Sequence, residues 1–265
     1  MIANRVPAIE VVAAVNDEAV LQANLLRSPL LQRGEAAFRA QRGWASASAA
    51  FVDAMAAGAA ELVVFAHQDV YLPEGWEVGL RRAIAGLDDS DPEWAVLGVY
   101  GVTRAGRQVG QVWSSGLGRA FGEPPATPVC VDALDEVLLV LRRSAGVRFD
   151  PGLPGFHLYG TDIVQSAIAR GRSAHVIAAP VVHNSRPSPF LGADYFRAYR
   201  HLARKWRDRL PIANHVAPLL PPGAARLALR TRHWLLAQRH ALAAGPVRVD
   251  RGLDCVHIAR QLGWE

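Results

Sequence analysis

Apolar residues come in short blocks, and each block ends abruptly on polar residues. Over 8–15 the chain carries Ile9, Val11, Val12 and Val15. A short apolar, β-branched run bounded by turn residues predicts a buried strand. Asn16-Asp17 ends it, and Asp17 suits the N-cap of a helix patterned on Val20, Leu21, Leu25 and Leu26, which Ser28-Pro29 breaks. Helical spacing returns over 44–57. A second apolar block, 61–66, stops at His67-Gln68-Asp69. Helical spacing over 76–85 and a third block over 95–100 follow. Strand, helix, strand, helix, strand predicts an α/β fold with a mostly parallel central sheet and helices on both faces.

The second half is less regular. Weak alternation over 108–113 fits a hairpin, the glycines and prolines of 116–128 a loop, and 129–141 reads as strand. Turn residues dominate 149–160, and a helix over 161–169 is expected to be capped by Thr161. A short strand over 175–179 and a helix over 193–209 follow. Pro218, Pro221 and Pro222 precede a last long helix over 224–243. No internal repeat appears.

With 265 residues, 51% of them hydrophobic, the chain can bury one large core. No stretch approaches a membrane span, and the first residues lack the apolar core of a signal peptide, so a cytoplasmic location is expected. The two cysteines, Cys130 and Cys255, read as reduced thiols. The net charge of +5 is local: 210–249 holds Arg226, Arg230, Arg232, Arg239 and Arg248 and no acidic residue. One basic C-terminal face argues against a nucleic-acid coat.

Four places carry candidate chemistry, each beside a plainer reading. Asp69 follows a buried strand, where open α/β sheets bind ligands and where a carboxylate can hold Mg²⁺ or Mn²⁺; it could equally be a loop carboxylate. His183, at the end of another apolar run, could complete a metal site or be a structural histidine. Asp132, Asp135 and Glu136 flank a strand and could be a solvated turn. Asp162 sits in the first turn of a helix, where the helix dipole alone favours an acid. Phosphate-loop, dinucleotide, nucleophile-elbow and His-Glu-x-x-His motifs are absent.

Taken together, Asn16-Asp17, Ser46, Phe65-Ala66-His67-Gln68-Asp69-Val70, Val131-Asp132-Ala133-Leu134-Asp135, Phe156-His157-Leu158-Tyr159-Gly160-Thr161-Asp162 and Val182-His183-Asn184-Ser185 resemble the family-2-like glycosyltransferases, on the branch related to the streptomycin-biosynthesis StrF domain. The resemblance spans Ile9 to Pro211. It implies a GT-A fold, a nucleotide-diphosphate sugar donor (UDP- or GDP-sugar) and Mn²⁺ or Mg²⁺. On this basis Asn16, Asp17, Ser46, Gln68, Asp69 and Asp132 would contact the donor. Asp69, His183 and His67 would hold the metal, Asp162 would be the catalytic base, and Asp135 is its competitor. Three departures stand out: His67 where the family's acidic motif begins, Thr161 in place of a glutamate, and Gly43-Trp44-Ala45-Ser46 in place of an Asn-rich turn.

The implied reaction is inverting transfer to the hydroxyl of a glycan, a lipid-linked molecule or a small molecule. The alternatives are a sugar-nucleotide-binding protein without turnover and, last, a nucleotidyltransferase, which the acidic Asn16-Asp17-Glu18 disfavours. A transferase domain over 1–211 and a basic helical extension over 212–265 are expected. The helix over 224–243 is a candidate for peripheral contact with anionic lipid.

Overall fold

The computed structural model describes residues 7–185, 191–221 and 253–265. The first half follows the predicted alternation. Strand β1 (Ile9–Val15) leads through the short helices α1 (Glu18–Ala23) and α2 (Pro29–Gln32) to β2 (Ala37–Arg42). Then come α3 (Ala47–Ala57), β3 (Leu62–Ala66), the two-residue β4 (Val70–Tyr71), α4 (Trp76–Ser90) and β5 (Trp94–Gly98). Asp17 caps α1 as expected, accepting from the amides of Ala19 and Val20. Ser46 caps α3, accepting from Ala49 N–H, so the helix begins later than its apolar pattern.

The middle of the chain builds β6 (Tyr100–Val102), β7 (Gln108–Ser114) and β8 (Arg119–Glu123). The segment expected as one strand over 129–141 divides into β9 (Val129–Cys130), β10 (Ala133–Leu134) and β11 (Leu138–Arg142). Asp135 makes one of these breaks: its carboxylate accepts from the N–H of Val137, two residues on, and turns the chain out of the ladder. Helix α5 (Tyr159–Ile168), β12 (Ser173–Val176), β13 (Val181–His183), α6 (Ala193–Lys205) and, at the far end, α7 (Cys255–Gln261) complete the elements. Thr161 is not the cap of α5: Leu158 occupies that position with φ 65°, and Thr161 is buried inside the first turn.

The main sheet has the order β2-β1-β3-β11-β5-β12-β9. β1 pairs in parallel with β2 and β3, and β12 with β5. β11 is inserted antiparallel between β3 and β5, so the sheet is mixed rather than mostly parallel. One face packs against α3, α5 and α6 through Phe51, Ile163, Tyr195 and Leu202; the other packs against α1 and α4 through Leu21, Leu80 and Leu87. A second sheet, β10-β6-β7-β13-β4 with β8 on β7, lies across the end of the first.

The expected boundary after 211 falls within packed structure. Ile212 and Leu219 belong to the same core as α3 and α5, and Asn214 donates to Thr161 Oγ1 at 2.7 Å. Helix α7 packs on Tyr71, Trp113 and Val182. The basic helix expected over 224–243 lies outside the described residues. Among those described, no helix is long and apolar enough to cross a membrane.

Candidate active site

The C-terminal ends of β1, β2 and β3 open into a cavity of about 550 Å³. Its walls include Asn16, Gln41, Trp44, His67, Gln68, Asp69, Phe156, His157 and Tyr159. Asn16 and Gln68 close one side by pairing: Gln68 Oε1 accepts from the amides of Asn16 and Asp17, and its Nε2 donates to Asn16 Oδ1. Trp44 is pinned by its indole N–H, which donates to Gln41 Oε1 at 2.8 Å, while Gln41 Nε2 donates to Asp53. Trp44 and Phe156 remain 37% and 44% exposed, so the cavity wall offers two accessible aromatic side chains. None of the described residues lining the cavity is a lysine or arginine.

The cavity floor is His67 and Asp69, just beyond β3, and His183 joins them from the end of β13. One donor atom from each lies within 4.8 Å of the others. His183 Nε2 is 3.3 Å from Asp69 Oδ1 and His67 Nδ1 is 4.0 Å from it. Asp69 Oδ1 is buried, and its charge partner is the His183 imidazole rather than a lysine or arginine. Burial alone would raise the Asp69 pKa, but the two imidazoles outweigh it and hold the acid at about 2. Burial lowers His67; in His183 the nearby Asp69 carboxylate overcomes burial and raises the pKa. A buried anionic oxygen between two imidazoles at the edge of a cavity fits a divalent cation. Two nitrogen ligands suit Mn²⁺ better than Mg²⁺, which prefers an all-oxygen shell.

A second group adjoins the first. Tyr159 O–H donates to the Glu136 carbonyl at 2.9 Å and lies 2.9 Å from His67 Nε2. Leu158, a bulky residue at positive φ, is a real conformational outlier, and it directs Tyr159 into this bridge. Gly160 permits the close approach of α5, since a Cβ there would stand 2.4 Å from the Leu134 carbonyl oxygen. Asp135 is 26% exposed and pairs with His215 Nε2 at 2.7 Å. Burial works to raise its pKa, but His215 and the Val137 amide, with His183 adding to them, hold it below the usual carboxylate range. Glu136 is pushed up by burial and by the Asp135 charge.

The structure thus brings together Asn16, Gln68, Asp69, His67 and His183, with Asp135 beside them. The side chains of the remaining expected residues are engaged elsewhere. Asp17 and Ser46 spend their side chains on helix caps. Asp132 is beside Arg104, at 3.9 Å, and outside the cavity walls. Asp162 is 1% exposed: Lys205 Nζ is 2.8 Å from Oδ1, and the Trp206 indole N–H donates to Oδ1 at 2.8 Å. Sequence reasoning missed Trp44 and His215, and it gave Tyr159 and Glu136 no specific role. Trp44 stood out only as a departure from the family's turn, and nothing in the sequence ties His215 to Asp135.

No family model matches the chain. A protein from Fuscovulum blasticum, "ATP synthase subunits region ORF 6", is 31% identical over 158 residues, covering 56% of this chain. The match spans 61% of that relative's length, less than two thirds. Among solved structures, GalNAc-T7 with UDP, GalNAc and Mn²⁺ superposes with a TM-score of 0.52 at 12% identity, over 78% of this chain and 49% of the other. A Pyrobaculum calidifontis mannosyltransferase with GDP-Man and Mn²⁺ gives 0.48 at 13% identity, over 98% of this chain and 80% of the other. S. aureus TarS 1–349 with UDP-GlcNAc gives 0.45 at 16%, over 76% and 66%. The last two fall too low to add weight, and the first is a likeness of fold. With its mixed sheet, its helices on both faces and that superposition, the chain has the GT-A fold of glycosyltransferases.

Proposed function

We propose that this chain is a glycosyltransferase that takes its sugar from a nucleoside-diphosphate donor and uses a divalent cation, preferably Mn²⁺. One observation carries the reading: the buried Asp69 Oδ1, between His67 and His183, on the floor of a cavity lacking any lysine or arginine among its described lining residues. A diphosphate entering such a cavity needs positive charge from elsewhere. Mn²⁺, held by His67, Asp69 and His183, would neutralise the departing diphosphate, a contribution of several kcal/mol. The GalNAc-T7 structure agrees with this chemistry, since UDP, GalNAc and Mn²⁺ are named with it.

The protein's own groups divide the remaining work. Trp44 and Phe156 offer apolar faces to a nucleobase at the cavity mouth. The Asn16–Gln68 pair holds the ends of β1 and β3 at a fixed spacing beneath it. Asp135 is the residue we assign as base, in preference to Asp162. It is ionised, partly exposed and electrostatically coupled to His183. As the acceptor oxygen bonds to the anomeric carbon and the bond to the diphosphate breaks, the acceptor proton passes to Asp135. His215 holds the Asp135 carboxylate in place from the other side.

The fixed engagement of Asp135 with His215 and Val137 also favours a second reading, a binding protein without turnover. A panel of UDP- and GDP-sugars incubated with Mn²⁺ separates the two. Release of nucleoside diphosphate that stops in EDTA is the expected result. Tight binding with no release from any donor would favour the binding protein.

A further inference from the structure

The candidate metal ligands sit on weak scaffolding. Asp69 immediately precedes β4, a strand of two residues at the edge of the second sheet, and His183 ends β13, a strand of three. Only Val182↔Tyr71 and His183↔Val70 pair between them. Strands this short contribute little stability of their own. Yet Asp69 and His183 must stay in register for their side chains to share one ion.

Asn184 supplies the missing connection. Its backbone N–H donates to the Asp69 carbonyl at 2.8 Å, joining the two ligand-bearing segments directly. Its side-chain Nδ2 donates to Asn24 Oδ1 at 3.0 Å and to the Leu253 carbonyl at 3.2 Å. Asn24 is 3% exposed and fixed in turn, since its own Nδ2 donates to the Val20 carbonyl at 2.9 Å. Leu253 opens the segment 253–265, which packs α7 against Tyr71 and Val182, the paired residues of β4 and β13. That segment is anchored at both ends: Asp254 pairs with Arg27 at 2.8 Å, and Glu265 accepts from the Tyr71 hydroxyl. The thiol of buried Cys255 donates to the Ala23 carbonyl.

We infer that Asn184 is a positioning residue for the divalent cation, and that the C-terminal segment 253–265 holds the Asp69–His183 pair in register through it. The inference rests on the metal reading above. Groups that orient metal ligands without touching the ion typically change metal affinity 10–100-fold when removed. The C-terminal end of the chain is thereby part of the metal site, although none of its residues reaches the cavity.

Mn²⁺ binding to the full chain, followed by loss of the free-ion signal in electron paramagnetic resonance, tests this without any turnover. Asn184→Ala is expected to bind Mn²⁺ roughly 10–100-fold more weakly than wild type. Asn184→Ser, which changes the site less and guards against a folding defect, is expected to fall between the two. UDP affinity in the absence of metal should be the same in all three. Leu87→Ala, a core substitution on α4 away from the site, loses stability and should keep the wild-type Mn²⁺ affinity. Wild-type Mn²⁺ affinity in both Asn184 variants, or an equal loss in Leu87→Ala, would overturn the positioning role while leaving the metal reading intact. Absence of Mn²⁺ binding in wild type itself would overturn both.

Discussion

Asp69 and Asp162 are both mainly buried carboxylates next to a secondary-structure boundary, and both were expected to act in the reaction. Their surroundings differ in kind. Asp162 is 1% exposed and fully compensated: Lys205 and the Trp206 indole hold it, and Lys205 and His201 in turn hold Asp150. This network ties α5 to α6. Asp69 is 20% exposed, faces a cavity, and has only the imidazoles of His183, at 3.3 Å, and His67, at 4.0 Å, beside its buried oxygen. Buried charge is costly, and one balanced only by imidazoles at a cavity can be shared with a bound cation. A carboxylate's position on a strand or helix therefore says less about its role than whether the fold has already satisfied it.

Substitutions at the two aspartates, and at Asp135 between them in character, can break that contrast. The largest effect is expected at Asp69. Asp69→Asn removes the anionic ligand, and donor turnover should fall about 10³-fold, in line with several kcal/mol of lost charge neutralisation. Steady-state release of nucleoside diphosphate with Mn²⁺ measures this, and near-native turnover would contradict the assignment. Asp135→Asn keeps the shape but cannot accept the proton. Turnover should fall about 10²-fold or more with Mn²⁺ affinity unchanged. If instead Mn²⁺ affinity collapses while turnover at saturating metal survives, Asp135 belongs with the ligands and not with the chemistry.

Asp162→Ala should act on the fold. Removing one partner of a buried ion pair costs about 3 kcal/mol, and urea denaturation should show that loss with Mn²⁺ affinity retained. A stable variant that cannot turn over would return the base to Asp162.

The smallest effect concerns pH and the same network. Asp150 is held at about 2, against its ordinary 3.8, because His201 and Lys205 outweigh the effect of burial. A depressed carboxylate stabilises the folded state fully above about pH 4 and ceases to do so as pH falls toward 2. With discount for solvent screening the contribution is about 1 kcal/mol. Asp162, which burial pushes up, works with the opposite sign, so the comparison must be made within one residue. Wild type should lose this increment between about pH 4 and pH 2 in denaturant titrations, and Asp150→Asn should not.

Much of the fold is visible in the sequence because the main-sheet strands are buried on both faces. β3 and β5 read as unbroken apolar runs and β1 as one broken only by Glu10, and their polar ends, Asn16 and His67-Gln68-Asp69, were found with them. β2 escaped notice because its pattern, Ala-Phe-Arg-Ala-Gln-Arg, belongs to a half-exposed edge strand. The antiparallel insertion of β11 left no local mark, since strand direction depends on where the long excursion through β6–β10 returns. The candidate metal group was partly legible: His67 and Asp69 share one segment, and His183 ends another apolar run. Trp44, Tyr159 and His215 were not, because their roles depend on contacts across the fold. The partners of Asp162 were hidden for the same reason: Lys205 and Trp206, which hold it, lie 43 and 44 residues away.

Calorimetric titration of UDP and of GDP, with and without Mn²⁺, into wild type and Asp69→Asn tests the central claim most directly. A cavity without lysine or arginine in its described walls should bind a diphosphate weakly by itself and well through a cation bridging to Asp69. The predicted result is that Mn²⁺ tightens binding of at least one nucleotide to the wild-type protein by about 10-fold or more, a coupling of roughly 1.4 kcal/mol, and that Asp69→Asn abolishes the gain. Equal nucleotide affinity with and without Mn²⁺ in the wild-type protein would contradict the account.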